Sequence, residues 1–138
     1  MACPYFVPRR ILNDGSWPHP ARLPLGAGWA GNCCAAGAET EPQPEMLREF
    51  CNLGNATRCP HLPAARDWDA IRFSVSQAGA ERIVLRYVCE RSHAPVEHGM
   101  LEFDLRSQRW QAAHADARVQ RLAECYRMAW QSRQPAAA

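Results

Sequence analysis

The second half of the chain carries a clear period-two alternation. Ile71, Phe73 and Val75 alternate with Arg72, Ser74 and Ser76, as a half-buried strand requires. Gln77-Ala78-Gly79-Ala80 supplies a turn. Ile83, Leu85, Tyr87 and Cys89 then share one face of a second strand, with Val84 and Val88 on the other. A loop containing Pro95 is expected from Ser92 to His98. Gly99 opens a third strand with Leu101, Phe103 and Leu105 inward, and residues 108–112 add a short fourth after a turn at Arg106-Ser107. The period then changes. Val119, Leu122, Ala123, Tyr126, Ala129 and Trp130 form the apolar stripe of a helix from about His114 to Ser132. Arg118, Arg121, Arg127 and Arg133 fall outside that stripe, on a face expected to be solvated.

The first half lacks this regularity. Nine of the eleven prolines precede residue 66, a density that suppresses helices and central strands. One helix does read there. Pro44 suits a first turn, Glu45 an N-terminus and Gly54 a C-terminal cap. Met46, Leu47, Phe50 and Cys51 share its face. The predicted fold is α+β. An irregular Cys/Pro-rich N-terminal subdomain (1–66) docks on a three- to four-stranded antiparallel meander with a C-terminal helix (67–133), followed by a tail (134–138). A segment unable to build regular structure needs another means of cohesion, such as a metal or the neighbouring half.

Composition narrows the chemistry. The 138 residues carry 16 basic and 14 acidic side chains, a net charge of +2, with 47% apolar residues. This suits one domain, or one domain with an appendage. Every basic residue is arginine. The absence of lysine removes the Walker A phosphate loop, Schiff-base chemistry and lysine general bases. The near balance of charge gives only weak support for nucleic-acid binding through Arg118, Arg121 and Arg127. No run approaches the ~18 apolar residues of a membrane span. The opening Met-Ala-Cys-Pro-Tyr-Phe has no basic stretch leading into an apolar one, so a cytoplasmic protein is expected. On that reading the sequon Asn55-Ala56-Thr57 has no role.

Cysteine is the abundant anomaly: Cys3, Cys33, Cys34, Cys51, Cys59, Cys89 and Cys125. An odd count in a reducing compartment points to metal or redox chemistry more than to a disulfide framework. Cys89 and Cys125 continue apolar faces and read as packing residues. The other five lie in the irregular half. Cys3, Cys34, Cys51 and Cys59 are the candidate ligands, with Cys33 and His61 as alternates. Two of them stand in Cys–Pro pairs, Cys3-Pro4 and Cys59-Pro60, where proline turns the chain away and removes a competing donor. Gly26, Gly28 and Gly31 precede Cys33-Cys34 and are expected to let backbone wrap a cluster closely, with Tyr5, Phe6 and Trp29 as an apolar shell.

In its Cys–Pro pairs the chain resembles iron–sulfur proteins at large, over residues 1–61, although it lacks the Cys-x-x-Cys spacing of ferredoxins. The resemblance implies a [4Fe–4S] cluster held by four thiolates, in a small protein of electron transfer or redox/oxygen sensing with a redox or regulatory protein partner. The alternative is Zn2+ on the same cysteines, with His61 or His19 replacing one, in a non-catalytic module that binds a protein or nucleic acid. Short Cys-x(2–4)-Cys knuckles, usual for structural zinc, are absent from the sequence.

Other motifs are weaker. Gly26-Ala-Gly28-Trp-Ala-Gly31 spells G-x-G-x-x-G but follows prolines where a strand should be. His93 and His98, with Glu90 and Glu97 nearby, suit an acid–base pair or a partial metal site, and are more simply read as a polar hairpin tip. No Gly-x-Ser-x-Gly elbow is present, and the sequence offers no catalytic residues.

Overall fold

The computed structural model describes residues 1–54 and 56–134. Asn55 of the sequon and residues 135–138 of the expected tail lie outside the described residues. The described chain is α+β, with a two-stranded sheet, a four-stranded antiparallel sheet and a C-terminal helix. β1 (Phe6–Leu12) pairs antiparallel with β2 (Gly28–Cys33). A short α-helical turn, α1 (Pro44–Met46), runs on directly as a wider π-helix (Leu47–Asn52). β3 (Ala70–Ala78), β4 (Arg82–Arg91), β5 (Ala94–Asp104) and β6 (Arg109–Trp110) form the meander in sequential order. α2 (Ala117–Ser132) closes the chain, with Asp116 accepting the Arg118 N–H as its cap.

The period-two reading of β3 and β4 and the 3.6 period of α2 agree with this architecture, and three differences have physical causes. First, the irregular half contains a sheet. Pro8 is accommodated because a bulge falls between Pro8 and Arg10, where the register slips by one residue. Second, most of the expected 92–98 loop is strand. Ser92 and His93 alone make the turn, at φ 51° and 67°, the left-handed conformation of a two-residue hairpin. Pro95 then sits beside a second bulge, opposite Glu90. Third, the α2 arginines are not a uniformly solvated face. Arg127 is only 9% exposed, with its guanidinium 4.0 Å from the Phe103 ring centroid and hydrogen bonds to Glu124 and Gln131. Arg121 donates to Pro8 O at 3.0 Å, and Arg133 to Gly26 O at 2.5 Å. These two arginines tie the helix to the N-terminal half.

One core joins both halves. Phe6, Leu25 and Trp29 pack into the same buried cluster as Ile71, Ile83, Leu85, Leu101, Phe103, Val119 and Leu122. Cys89 and Cys125 belong to it as buried packing residues. The N-terminus is fixed to the meander at the edge of β3. Ala2 N–H donates to Ile71 O at 2.7 Å, and Ile71 N–H returns to Ala2 O at 3.0 Å. Cys3 is therefore held in place by sheet pairing of its neighbour. None of the described helices is long and apolar enough to cross a membrane.

Candidate metal centre

Three cysteines from three segments line one cavity, and a fourth interacts with them electrostatically. Cys3 follows the Ala2 bridge, Cys33 ends β2, Cys51 lies in the π-helix, and Cys59 follows a 3-10 turn (Ala56–Arg58). Cys33, Cys51 and Cys59 line a cavity of about 260 Å3 together with Met46, Glu41 and His61. Cys3 lies behind it, close enough to Cys33, Cys51 and Cys59 for their charges to interact. All seven cysteines are free thiols.

The strand decides between the two adjacent cysteines. Successive side chains of a strand point to opposite faces. Cys33 pairs with Phe6 on one side, and on the other exchanges two backbone hydrogen bonds of 2.8 Å with Thr40. It lines the cavity and interacts electrostatically with Cys3 and Cys51. Cys34 N–H donates to Tyr5 O at 2.9 Å, and Cys34, which does not line the cavity, interacts electrostatically with Cys33 and Arg118. Of the expected set, Cys51 and Cys59 line the cavity and Cys3 lies within electrostatic reach of them; Cys33 lines the cavity where Cys34 was expected. His61 shares the cavity wall.

Burial controls the charge on these sulfurs. The Cys3 thiol is pushed up to about 12 by burial, with further increments from Cys33 and Cys59. The backbone N–H groups of Tyr5 and Phe6 donate to it and work in the opposite direction. These donors follow Pro4, which has no N–H of its own. Cys51 is also pushed up to about 12, first by burial and then by Cys3, Cys33 and Cys59. Ala35 N–H donates to Cys33 Sγ at 3.5 Å. Four thiolates this close would repel one another, and a cationic centre is what would relieve that repulsion.

Asn52 holds the walls together, and sequence reading did not find it. It is 3% exposed. Its Oδ1 accepts the Trp29 N–H at 2.9 Å, while its Nδ2 donates to Trp29 O and Leu47 O, both at 2.9 Å. The side-chain amide acts as one residue of a third strand on the free edge of β2. Cys51 is thereby locked beside the strand that carries Cys33. No periodicity or motif signals such a residue.

The glycines serve packing away from the sulfurs, contrary to expectation. A Cβ on Gly28 would lie 1.9 Å from the Trp17 ring, and one on Gly31 would lie 2.2 Å from Val7 O. Gly26 packs against Ala129 and Arg133. Gly28 and Gly31 lie inside β2, so the G-x-G-x-x-G run does not join a strand to a helix. Gly54 ends the π-helix at φ +89°, against the backbone of Met1.

The expected histidine–glutamate group is partitioned differently. Glu97 accepts from Tyr87 Oη at 3.0 Å and meets His114 Nε2 at 2.6 Å, not His93 or His98. These contacts, His114 foremost, lower the Glu97 carboxyl pKa. Glu90 pairs with Arg72 at 3.0 Å.

Among the described residues, no group of three or more His, Cys, Asp or Glu side chains is arranged to hold a metal ion. Comparison with protein-family models, curated proteins and solved structures gives no match for this chain.

Proposed function

We propose that Cys3, Cys33, Cys51 and Cys59 hold an iron–sulfur cluster, [4Fe–4S] in type, and that the protein serves in electron transfer or redox/oxygen sensing with a protein partner. The observation that carries this reading is that three free thiols from separate segments line one cavity, with a fourth, Cys3, within electrostatic reach of them. Cluster thiolates commonly receive backbone N–H groups, and the donors on Cys3 and Cys33 have that character. The core side of the cavity is apolar, since Cys3 and Cys51 pack against the buried cluster. Such a shell limits solvent and tunes potential.

The zinc alternative makes a different geometric demand. A lone tetrahedral ion with bonds of ~2.3 Å needs sulfurs about 3.8 Å apart. Thiolates on separate corners of a polynuclear cluster span a wider body. His61 on the cavity wall is the residue that a zinc site would recruit.

Anaerobic purification, followed by analysis for iron, acid-labile sulfide and zinc, tests the proposal. The expected result is iron and sulfide in near-equal amounts, with broad visible absorption that bleaches reversibly on reduction. Stoichiometric zinc without iron, or no metal under reconstitution with iron and sulfide, would overturn it.

A further inference from the structure

A second cavity, about 550 Å3, shares no lining residue with the cysteine cavity. Its volume falls in the range of small-molecule sites. Trp29, Trp110 and Met128 give it aromatic and thioether walls, with Ala113, His114 and Arg121 beside them. Met128 stands 49% exposed at this groove. A half-exposed methionine beside two tryptophans is an adaptable apolar surface.

The charged groups along the groove are not equally occupied. Arg9 is closed on Glu39 at 2.5 Å. Glu124 accepts from Trp110 Nε1 at 2.5 Å and is also engaged by Arg127. His114 has both ring nitrogens committed, Nε2 to Glu97 and Nδ1 to the Asp116 N–H at 2.9 Å. Arg121 differs. Its Nε and Nη2 both point at Pro8 O, at 3.3 and 3.0 Å, and it makes no ion pair among the described residues. A guanidinium has five N–H donors. Two are spent on fixing its orientation, which leaves a preorganised cation with unspent donors at an aromatic-walled groove.

We propose that this groove binds a small organic anion with a flat apolar body. The body lies against Trp110, Met128 and Trp29, and its carboxylate or sulfonate takes the remaining N–H groups of Arg121. Preorganisation of the arginine reduces the ordering cost of binding, and its guanidinium is matched to a charged oxygen pair. This site does not depend on the metal reading.

A matched pair of fluorescent probes tests it on the full chain. The first is 8-anilinonaphthalene-1-sulfonate, and the second is uncharged N-phenyl-1-naphthylamine. The expected result is saturable one-to-one binding of the sulfonate, at least tenfold tighter than that of the uncharged probe. Arg121→Gln should abolish that preference. Met128→Glu, at a half-exposed position of the apolar wall, should weaken the sulfonate at least tenfold and the neutral probe less. Ala113→Trp should block both probes. Absence of saturable binding, equal affinity for the two probes, or a preference that survives both Arg121→Gln and Met128→Glu would overturn the proposal.

Discussion

Replacing Asn52 by leucine keeps side-chain size and removes three hydrogen bonds. The partners left behind are Trp29 N–H, Trp29 O and Leu47 O, each 2.9 Å from the amide in the native chain. The two Trp29 groups point at Asn52, away from β1, and so have no strand to fall back on. A buried polar group without a partner costs about 1–3 kcal/mol. With Leu47 O only partly buried, the sum is about 3–5 kcal/mol, a large share of the ~5–15 kcal/mol that stabilises a typical domain. The added apolar contact of leucine offsets a small part. For a chain of this length the melting temperature should fall by about 10–20 °C. Asn52→Asp should do no better, because its carboxylate accepts one N–H but faces two carbonyls. Urea unfolding of the metal-free variants, followed by tryptophan fluorescence, measures the loss. A change below about 1 kcal/mol for Asn52→Leu would refute the view that this amide substitutes for a missing strand.

Two further outcomes follow from the same geometry. Gly54 sits at φ +89°, and an added Cβ would lie 2.9 Å from Met1 N and 3.0 Å from Met1 O. Gly54→Ala should therefore cost at least the ~1–2 kcal/mol of a left-handed residue, seen as a lowered urea midpoint; an unchanged midpoint would contradict the packing of the N-terminus against this turn. Alkali should destabilise the metal-free protein. Cys3, Cys51 and Cys89 are raised from the ordinary thiol value of 9.0 to about 12, and Tyr87 from 10.0 to about 12. Each group keeps its proton longer in the folded chain, so its contribution is complete below pH 9 and is lost as pH climbs toward 12. Thermal melts with chelator and reductant should show a steady fall in Tm from about pH 9, and a flat profile to pH 11 would count against these burials.

What could be read from the sequence depended on whether a residue's role was local. β3, β4 and α2 were legible because each repeats its own period over six or more residues against one core. The β1–β2 pair was hidden. A bulge after Pro8 breaks the alternation of its short strand, and the 15 residues between the strands hold three prolines that mimic an unstructured leader. The start of β5 was missed for a related reason. Ser92-His93 is not an Asn-Gly turn, yet both residues adopt left-handed backbone there. At the cysteines, spacing and proline context singled out Cys3, Cys51 and Cys59. The choice between Cys33 and Cys34 required knowing that a strand ends there, since only alternation of faces separates them. The arginines of α2 illustrate the converse. Their positions lay outside the apolar stripe, but long side chains reach back across it to Pro8 O and Gly26 O. Asn52, one polar residue in a short helix, carries no sequence signal, because its partner lies 23 residues away.

The most direct measurement compares Cys33→Ser with Cys34→Ser. Both variants are purified anaerobically and analysed for iron, sulfide and visible absorption beside the parent chain. The two residues are adjacent and equally conservative to change, and only Cys33, the last residue of β2, lines the cavity. The account predicts that Cys33→Ser loses most of its iron and colour while Cys34→Ser retains both. Retention in both variants, or loss confined to Cys34→Ser, would contradict it.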